Sequence, residues 1–315
     1  MEFFKRFTYR EEQEIALSQK IPLALKELPP FITDYYNGLG NSISAKTMLS
    51  YSYDLKTFFN FLIQTIPELQ NRSIVDITLN DLDHLVVTDF VKFREFVASY
   101  ADPQTKIIRK NEARTITRKL ATLRSLFSYL YRHDMISHNE PSKLQMPEIE
   151  STDAIRLNQN EISELLNYIE TCRSELTAHQ KKYYMKTVAR DLAILTLLLG
   201  TDLRISECTG LNFDDLNIDN NYVLITKKGK GELMVHFGSE VHDALENYLE
   251  YRDQIEARPG HEKAIFLSMQ RKRISVDAVE NMVRKYATIV TPDKHVTLEK
   301  LRGLRRRTSE SSTHD

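Results

Sequence analysis

The sequence predicts a mainly α-helical protein with a small β-sheet, arranged as two domains. Apolar residues recur at helical spacing through most of the first half of the chain. A stretch without such a period, which contains Pro141 and Pro147, separates this half from the second. In the second half, two short strand-like runs flank a turn rich in lysine and glycine, which is typical of a β-hairpin. The length of 315 residues is sufficient for two such domains.

The first half is predicted to be a small all-helical bundle over residues 27–135, after an N-terminal extension at 1–26. Charged residues interrupt the apolar residues of this extension so often that it has no continuous apolar core of the kind found in signal peptides. Apolar stripes predict helices over 31–36, 47–66, 89–100 and 113–131. Ser44 is a suitable N-cap for the second of these helices, and Pro67 follows its end.

A linker over residues 136–156 is predicted to lead into the second domain, at 157–302. Its patterns predict helices over 158–172, 189–200, 241–252 and 276–286, and hairpin strands over 222–226 and 233–237. The run 189–200 is apolar on all sides, so we expect it to be buried. The last stretch, 303–315, is polar and aperiodic, and it is predicted to be disordered.

Composition is that of an ordinary globular protein, with 41% hydrophobic and 28% charged residues. The longest apolar run, 192–199, is far shorter than a membrane span, so no membrane association is expected. Cys172 and Cys208 lack the spacing of metal ligands and favour a reducing compartment. We therefore expect a cytoplasmic protein without metal or cofactor.

The distribution of charge favours a nucleic-acid partner although the net charge is only −1. Residues 106–124 contain seven basic residues against one acidic residue, Glu112. Further basic groups lie at 227–230 and 294–307. The alternative for any one cluster is a solvated helix face, and composition alone does not decide between the two.

One segment points to a specific chemistry. An apolar helix ends at Gly200, the chain turns, and a second helix begins with Arg204 near its first turn. The pattern R-x-S-E-x-x-x-L, formed by Arg204, Ser206, Glu207 and Leu211, resembles the first conserved box of the tyrosine recombinase (integrase) family. Asp202 stands where a small residue is commoner in that box.

The resemblance continues along the chain. Lys228 follows Arg204 by 24 residues and lies in the hairpin turn, where the family places its catalytic lysine. The segment 297–302, T-L-E-K-L-R, resembles the second box T-P-H-K-L-R, with Leu298 and Glu299 in place of proline and histidine. Together with segments 44–61 and 115–130, which resemble the family's core-binding domain, the match covers about residues 28–302.

This resemblance implies a SAM-like helical core-binding domain followed by a mixed α/β catalytic domain, as in single-chain Xer-type recombinases or integrases of mobile elements. Arg204 and Arg302 would be the guanidinium pair that stabilises the phosphate in the transition state. Lys228 would protonate the leaving oxygen. The expected DNA-contacting residues are Lys46, Thr47, Tyr51, Arg114, Arg118, Lys119, Arg124 and Lys230.

Each of these assignments has a simpler alternative. Arg204 could pair with Glu207 on its own helix, at a spacing of three residues. A lysine-rich turn is often only solvated, and either Lys228 or Lys230 could face the phosphate. Arg118 and its basic neighbours could form a solvated face.

The family's tyrosine nucleophile lies beyond the second box, whereas the last tyrosine of this sequence is Tyr286. Tyr286 precedes Arg302 and falls on a predicted helix, and Glu299 would bring negative charge towards a phosphate. The resemblance implies site-specific DNA recombination or integration, in which strands are cut and rejoined through a 3′-phosphotyrosine. Because this chain stops before the nucleophile, it is predicted to bind double-stranded DNA without cutting it, alone or beside other recombinase subunits. Two rivals remain: a non-catalytic protein that competes for recombination sites, and a helical interaction module with no role on DNA.

Overall fold

The computed structural model describes residues 8–101, 108–148, 157–172, 176–227, 231–292 and 294. It divides into two compact units, one of Glu11–Ser151 and one of Met1–Arg10 with Thr152–Asp315. The predicted fold class is confirmed, since the chain is mainly helical with a small three-stranded antiparallel sheet. The tail at 303–315, predicted to be disordered, lies outside the described residues.

The unit Glu11–Ser151 is a helical bundle, which we call the bundle unit. Its helices, with α1 beginning two residues before the unit, are α1 (Tyr9–Ser18), α2 (Ile21–Leu25), α3 (Phe31–Leu39), α4 (Ala45–Thr65), α5 (Leu79–Asp83), α6 (Val87–Ala98) and α7 (Ala113–Arg132). A short antiparallel ribbon of β1 (Ser99–Ala101) and β2 (Ile108–Lys110) joins α6 to α7. The sequence patterns missed this ribbon and assigned its first strand to the preceding helix.

Phenylalanine rings from three helices form the centre of the bundle core. Phe58 of α4 contacts Phe90 and Phe93 of α6 with ring centroids 5.7 and 5.1 Å apart. Phe127 of α7 meets Phe90 edge to face at 5.1 Å. All four side chains are at most 1% exposed. Buried aromatic surface of this size contributes strongly to stability and fixes how α4, α6 and α7 pack.

The first part of the predicted linker packs against the bundle. Arg124 of α7 donates through Nε to the carbonyl oxygen of Pro141 at 3.0 Å and through Nη2 to that of Leu144. Pro141 and Leu144 are buried. A guanidinium that donates to two backbone carbonyl groups can hold this segment against the bundle, next to the 3-10 helix that the segment itself forms over Glu140–Lys143.

The other unit, which we call the sheet unit, contains the sheet and the helices around it. Its elements are α8 (Gln159–Thr171), α9 (Ala178–Gly200), α10 (Ile205–Gly210), β3 (Leu216–Asn217), β4 (Tyr222–Lys227), β5 (Gly231–His236), α11 (Ser239–Arg252) and α12 (Val276–Val290). The strands lie in the order β3-β4-β5, and both pairs are antiparallel. The predicted hairpin is therefore present.

Gly200 lets the end of α9 approach α11 closely. A Cβ atom at Gly200 would lie 2.5 Å from Cγ2 of Val241, which is shorter than any real carbon contact. Gly200 is therefore needed for the packing of α9 against α11. No helix among the described residues is long and apolar enough to cross a membrane.

Candidate functional site

Arg204 lies at the start of α10, where the chain turns after α9. Leu203 is fully buried and Arg204 is exposed, so the buried leucine anchors the turn and directs the arginine outwards. Glu207 accepts a hydrogen bond from the Arg204 backbone N–H at 2.7 Å and one from its Nη1 at 2.9 Å. The Arg204 side chain is 59% exposed, and a pair this exposed contributes little to stability. Glu207 therefore orients Arg204 at the start of α10.

A buried polar network lies on α9 and α12. Arg190 donates through Nε and Nη2 to Asp191, at 2.9 and 2.6 Å, and through Nη1 to the carbonyl of Leu267 at 3.0 Å. The hydroxyl of Tyr286 donates to the other Asp191 oxygen at 3.1 Å. Burial raises the pKa of Asp191 and, together with the neighbouring carboxylate, that of Tyr286. Tyr286 is only 4% exposed, so its hydroxyl supports the fold and is not presented to solvent.

Helices α4 and α7 of the bundle unit run parallel. Arg118 donates to Ser50 at 2.8 Å, and Thr122 donates to Asp54 at 3.1 Å. Both pairs are 68 residues apart in the chain, so the helices advance in the same direction. One turn earlier, the same offset places Lys46 of α4 level with Arg114 of α7, and both side chains are exposed. The two helix N-termini, with their positive dipole ends, therefore lie at the same end of the bundle.

Asp54 is the buried centre of the contact between these helices. Its carboxylate accepts hydrogen bonds from Arg118, from Nζ of Lys119 at 3.0 Å and from the Thr122 hydroxyl. Lys119 is 8% exposed, whereas the side chain of Arg118 is 46% exposed. Asp54 thus holds Lys119 inside the bundle and aligns Arg118 along the surface of the bundle.

The remaining predicted DNA-contacting residues of the bundle have internal contacts. Thr47 takes part in the cap of α4, with its backbone N–H donating to the Ser44 hydroxyl at 3.1 Å. Tyr51 packs, partly buried, against the bundle core. Arg124 holds the segment after α7, as described above. Among the predicted residues, Lys46, Arg114 and Arg118 are the exposed ones in this unit.

Three of the predicted cations, Lys228, Lys230 and Arg302, lie outside the described residues. The hairpin that carries the first two is described on both sides of its turn, through Lys227 and from Gly231. Within the described part of the chain, no three histidine, cysteine, aspartate or glutamate side chains are grouped to hold a metal ion.

Sequence reasoning missed Asp54 and Asp191, the two acids that organise the cations around them. A signal was present for Asp54, because it lies four residues before Phe58 and eight before Leu62, on the core face of α4. A charged residue on an apolar face requires a buried partner. Asp191 likewise lies directly before the apolar run 192–199 of α9, next to Arg190.

Comparison with known proteins identifies the family. Residues 155–307 match the phage integrase family model, and residues 32–134 match the phage integrase N-terminal SAM-like domain. Tyrosine recombinase XerS of Streptococcus uberis is 30% identical over 304 residues, an alignment that covers 88% of this chain and 85% of that protein. The chain belongs to the tyrosine recombinase family.

Further relatives agree with this assignment. Tyrosine recombinase XerC of Caldanaerobacter subterraneus subsp. tengcongensis is 29% identical to this recombinase over 280 residues, which cover 86% of the chain and 70% of that protein. Among solved structures, XerH in a post-cleavage complex with a palindromic difH substrate is similar, with a TM-score of 0.59. That likeness covers 99% of this chain and 88% of XerH at 14% identity, and it shows a shared fold. The family resemblance predicted from the Arg204 box is confirmed.

Proposed function

We propose that this recombinase binds duplex DNA at recombination sites, mainly through the phosphates. One observation carries the proposal: parallel packing brings Lys46, Arg114 and Arg118 to one end of α4 and α7. Exposed lysine and arginine side chains that are grouped on one surface favour bound phosphates. Its relatives XerC and XerS are tyrosine recombinases, which supports DNA as the partner.

Arg118 is well suited to a phosphate because Asp54 fixes its orientation. Its Nη1 is held by Ser50 and Asp54, while nearly half of the side chain is exposed. An oriented guanidinium loses less conformational freedom on binding than a free one. In this proposal Lys119 and Arg124 support the surface by packing, and Lys46 and Arg114 contact the backbone of the DNA.

In the sheet unit, Arg204 is proposed to face the scissile phosphate. Its bond to Glu207 uses Nη1, and among the described residues the structure gives Nε and Nη2 no partner. A guanidinium with free donors can form charge-assisted bonds to phosphate oxygens. Lys228 and Arg302 are proposed to complete the cationic site, on the strength of their positions in the hairpin turn and the second box.

We expect Arg204→Ala to weaken duplex binding by roughly 10-fold, the value of one charge-assisted contact. The slope of log affinity against log salt should become less steep by about 1. Arg204→Lys should restore the slope but only part of the affinity, because lysine lacks the planar fork. Arg284→Ala, which removes an exposed arginine of α12, is the matched control. Equal losses for Arg204→Ala and the control would rule out a phosphate contact by Arg204.

We also expect that Tyr286, the last tyrosine of this sequence, forms no covalent link to DNA. The hydroxyl of Tyr286 donates to Asp191, and the side chain is only 4% exposed. A hydroxyl that is buried in this way is not presented to a phosphate and cannot act as the nucleophile. The measurement is a denaturing gel after incubation with a pool of nicked duplexes, followed by mapping of any attached residue. A covalent band that maps to Tyr286 would overturn this part of the proposal.

A further inference from the structure

The C-terminal end of α10 is held by Arg273. Its Nη1 donates to the carbonyl oxygens of Thr209 at 3.0 Å and Leu211 at 2.9 Å, and its Nη2 donates to Oδ1 of Asn212. A cation at this end is favourable because the carbonyl groups there carry the negative end of the helix dipole. Arg273 therefore fixes one end of the helix that begins after Arg204.

The ring of Tyr9 covers the Arg273 guanidinium. The guanidinium carbon lies 3.9 Å from the ring centroid, a close cation–π contact. Gly210 leaves room for this ring, since a Cβ atom there would lie 3.3 Å from Cδ1 of Tyr9. Covering the guanidinium excludes water and strengthens the hydrogen bonds that it donates to α10.

The next residue, Arg10, contacts the hairpin of the same unit. Its Nη1 donates to the carbonyl oxygen of Thr226 at 3.3 Å. Thr226 lies near the end of β4, paired with Glu232 of β5, and two residues before Lys228. Tyr9 and Arg10 are consecutive residues of α1. Tyr9 thus contacts the arginine that holds α10, the helix after Arg204, and Arg10 contacts β4, the strand before Lys228.

Helix α10 has only six residues, too few to be stable without packing. The direction of α10 is therefore set by the contacts at its ends. The helix is about 9 Å long, from Arg204 at its start to the carbonyl groups bound by Arg273 at its end. We propose that Tyr9 and Arg10 are positioning residues, which orient Arg204 through Arg273 and α10 and steady the hairpin that carries Lys228. This inference rests on the proposed phosphate-binding role of Arg204.

The first test measures hydrogen exchange in the full chain without DNA. In Tyr9→Ala, the amides of Glu207 and Cys208, which donate to the carbonyl of Arg204, should exchange about 10-fold faster. Tyr9→Phe keeps the ring and should exchange like the wild type. Tyr183→Ala, which removes a half-exposed tyrosine ring of α9, is the control for loss of an aromatic residue. Unchanged exchange at α10 in Tyr9→Ala, or equal effects of alanine and phenylalanine, would overturn the inference.

The second test asks whether Tyr9 acts through Arg204. Tyr9→Ala should weaken duplex binding by roughly 5-fold in the wild-type background and have no effect in the Arg204→Ala background, because coupled residues are not additive. Equal losses in both backgrounds would show a general structural role and contradict the inference. If the wild type itself shows no salt-dependent duplex binding, the proposed function fails, while the exchange experiment still decides whether the contact of Tyr9 orders α10.

Discussion

Asp54→Ala is expected to destabilise the bundle unit by about 3–5 kcal/mol, the typical cost of removing one partner from a buried ion pair. The substitution leaves Lys119, only 8% exposed, without its counter-charge. It also removes the acceptor for Arg118 and Thr122, so the contact between α4 and α7 loses its polar centre. The measurement is hydrogen exchange of the slowest amides in α4 and α7 of the full chain.

Two control substitutions separate this effect from general loss of charge. Asp81→Ala removes an acid that caps α5 through the Thr78 backbone N–H, and it should cost only about 1 kcal/mol. Arg118→Ala removes the exposed partner and should cost less than Asp54→Ala, since Lys119 keeps its carboxylate. If Asp54→Ala costs no more than Asp81→Ala, the buried carboxylate does not organise the bundle as described.

The double substitution Lys46→Ala with Arg114→Ala is expected to weaken duplex binding by roughly 100-fold, at about 1.5 kcal/mol or somewhat less for each charged contact. The loss should be similar for different DNA sequences, because phosphate contacts carry no base information. The slope of log affinity against log salt should become less steep by about 1.8, at roughly 0.9 for each phosphate. Anisotropy of a labelled duplex at several salt concentrations measures both quantities.

Arg132→Ala is the matched control for this double substitution. Arg132 is an exposed arginine on the same helix as Arg114, 18 residues further along and so about 27 Å away. It should leave binding unchanged if the DNA meets the N-terminal end of α7. If Arg132→Ala weakens DNA binding as much as Arg114→Ala alone, the bundle attracts DNA through its total charge and not through one surface.

The sequence predicted α4 and α7 well because each carries several agreeing signals. Helix α4 has an apolar stripe, an N-cap at Ser44 and a proline after its end, and the structure has Ala45–Thr65. Other elements lack such agreement. The first half of α9 has no apolar stripe, so the sequence predicted only its apolar end from residue 189; Thr177 and Gln180 cap its start. The ribbon β1–β2 has three-residue strands, too short for an alternating pattern to be recognised.

The candidate site was predictable where the signal is local and not where it depends on contacts across the chain. Pairing of Arg204 with Glu207 could be anticipated because they are three residues apart on one helix. Arg118 and Lys119 could not be told apart by sequence, since both belong to one basic cluster. Their different exposure arises from Asp54, which is more than 60 residues away in the chain. Counting charges does not show which of them a buried acid neutralises.

The most direct test of the proposed function is the affinity of the polypeptide 1–315 for a duplex as a function of salt. The described cations assigned to phosphates are Lys46, Arg114, Arg118 and Arg204. At roughly 0.9 for each contact, they predict a slope of log affinity against log salt of about −3.6 or steeper. Affinity should then fall by roughly 100-fold between about 50 and 200 mM salt. Binding that does not change with salt, or no binding at low salt, would contradict the account.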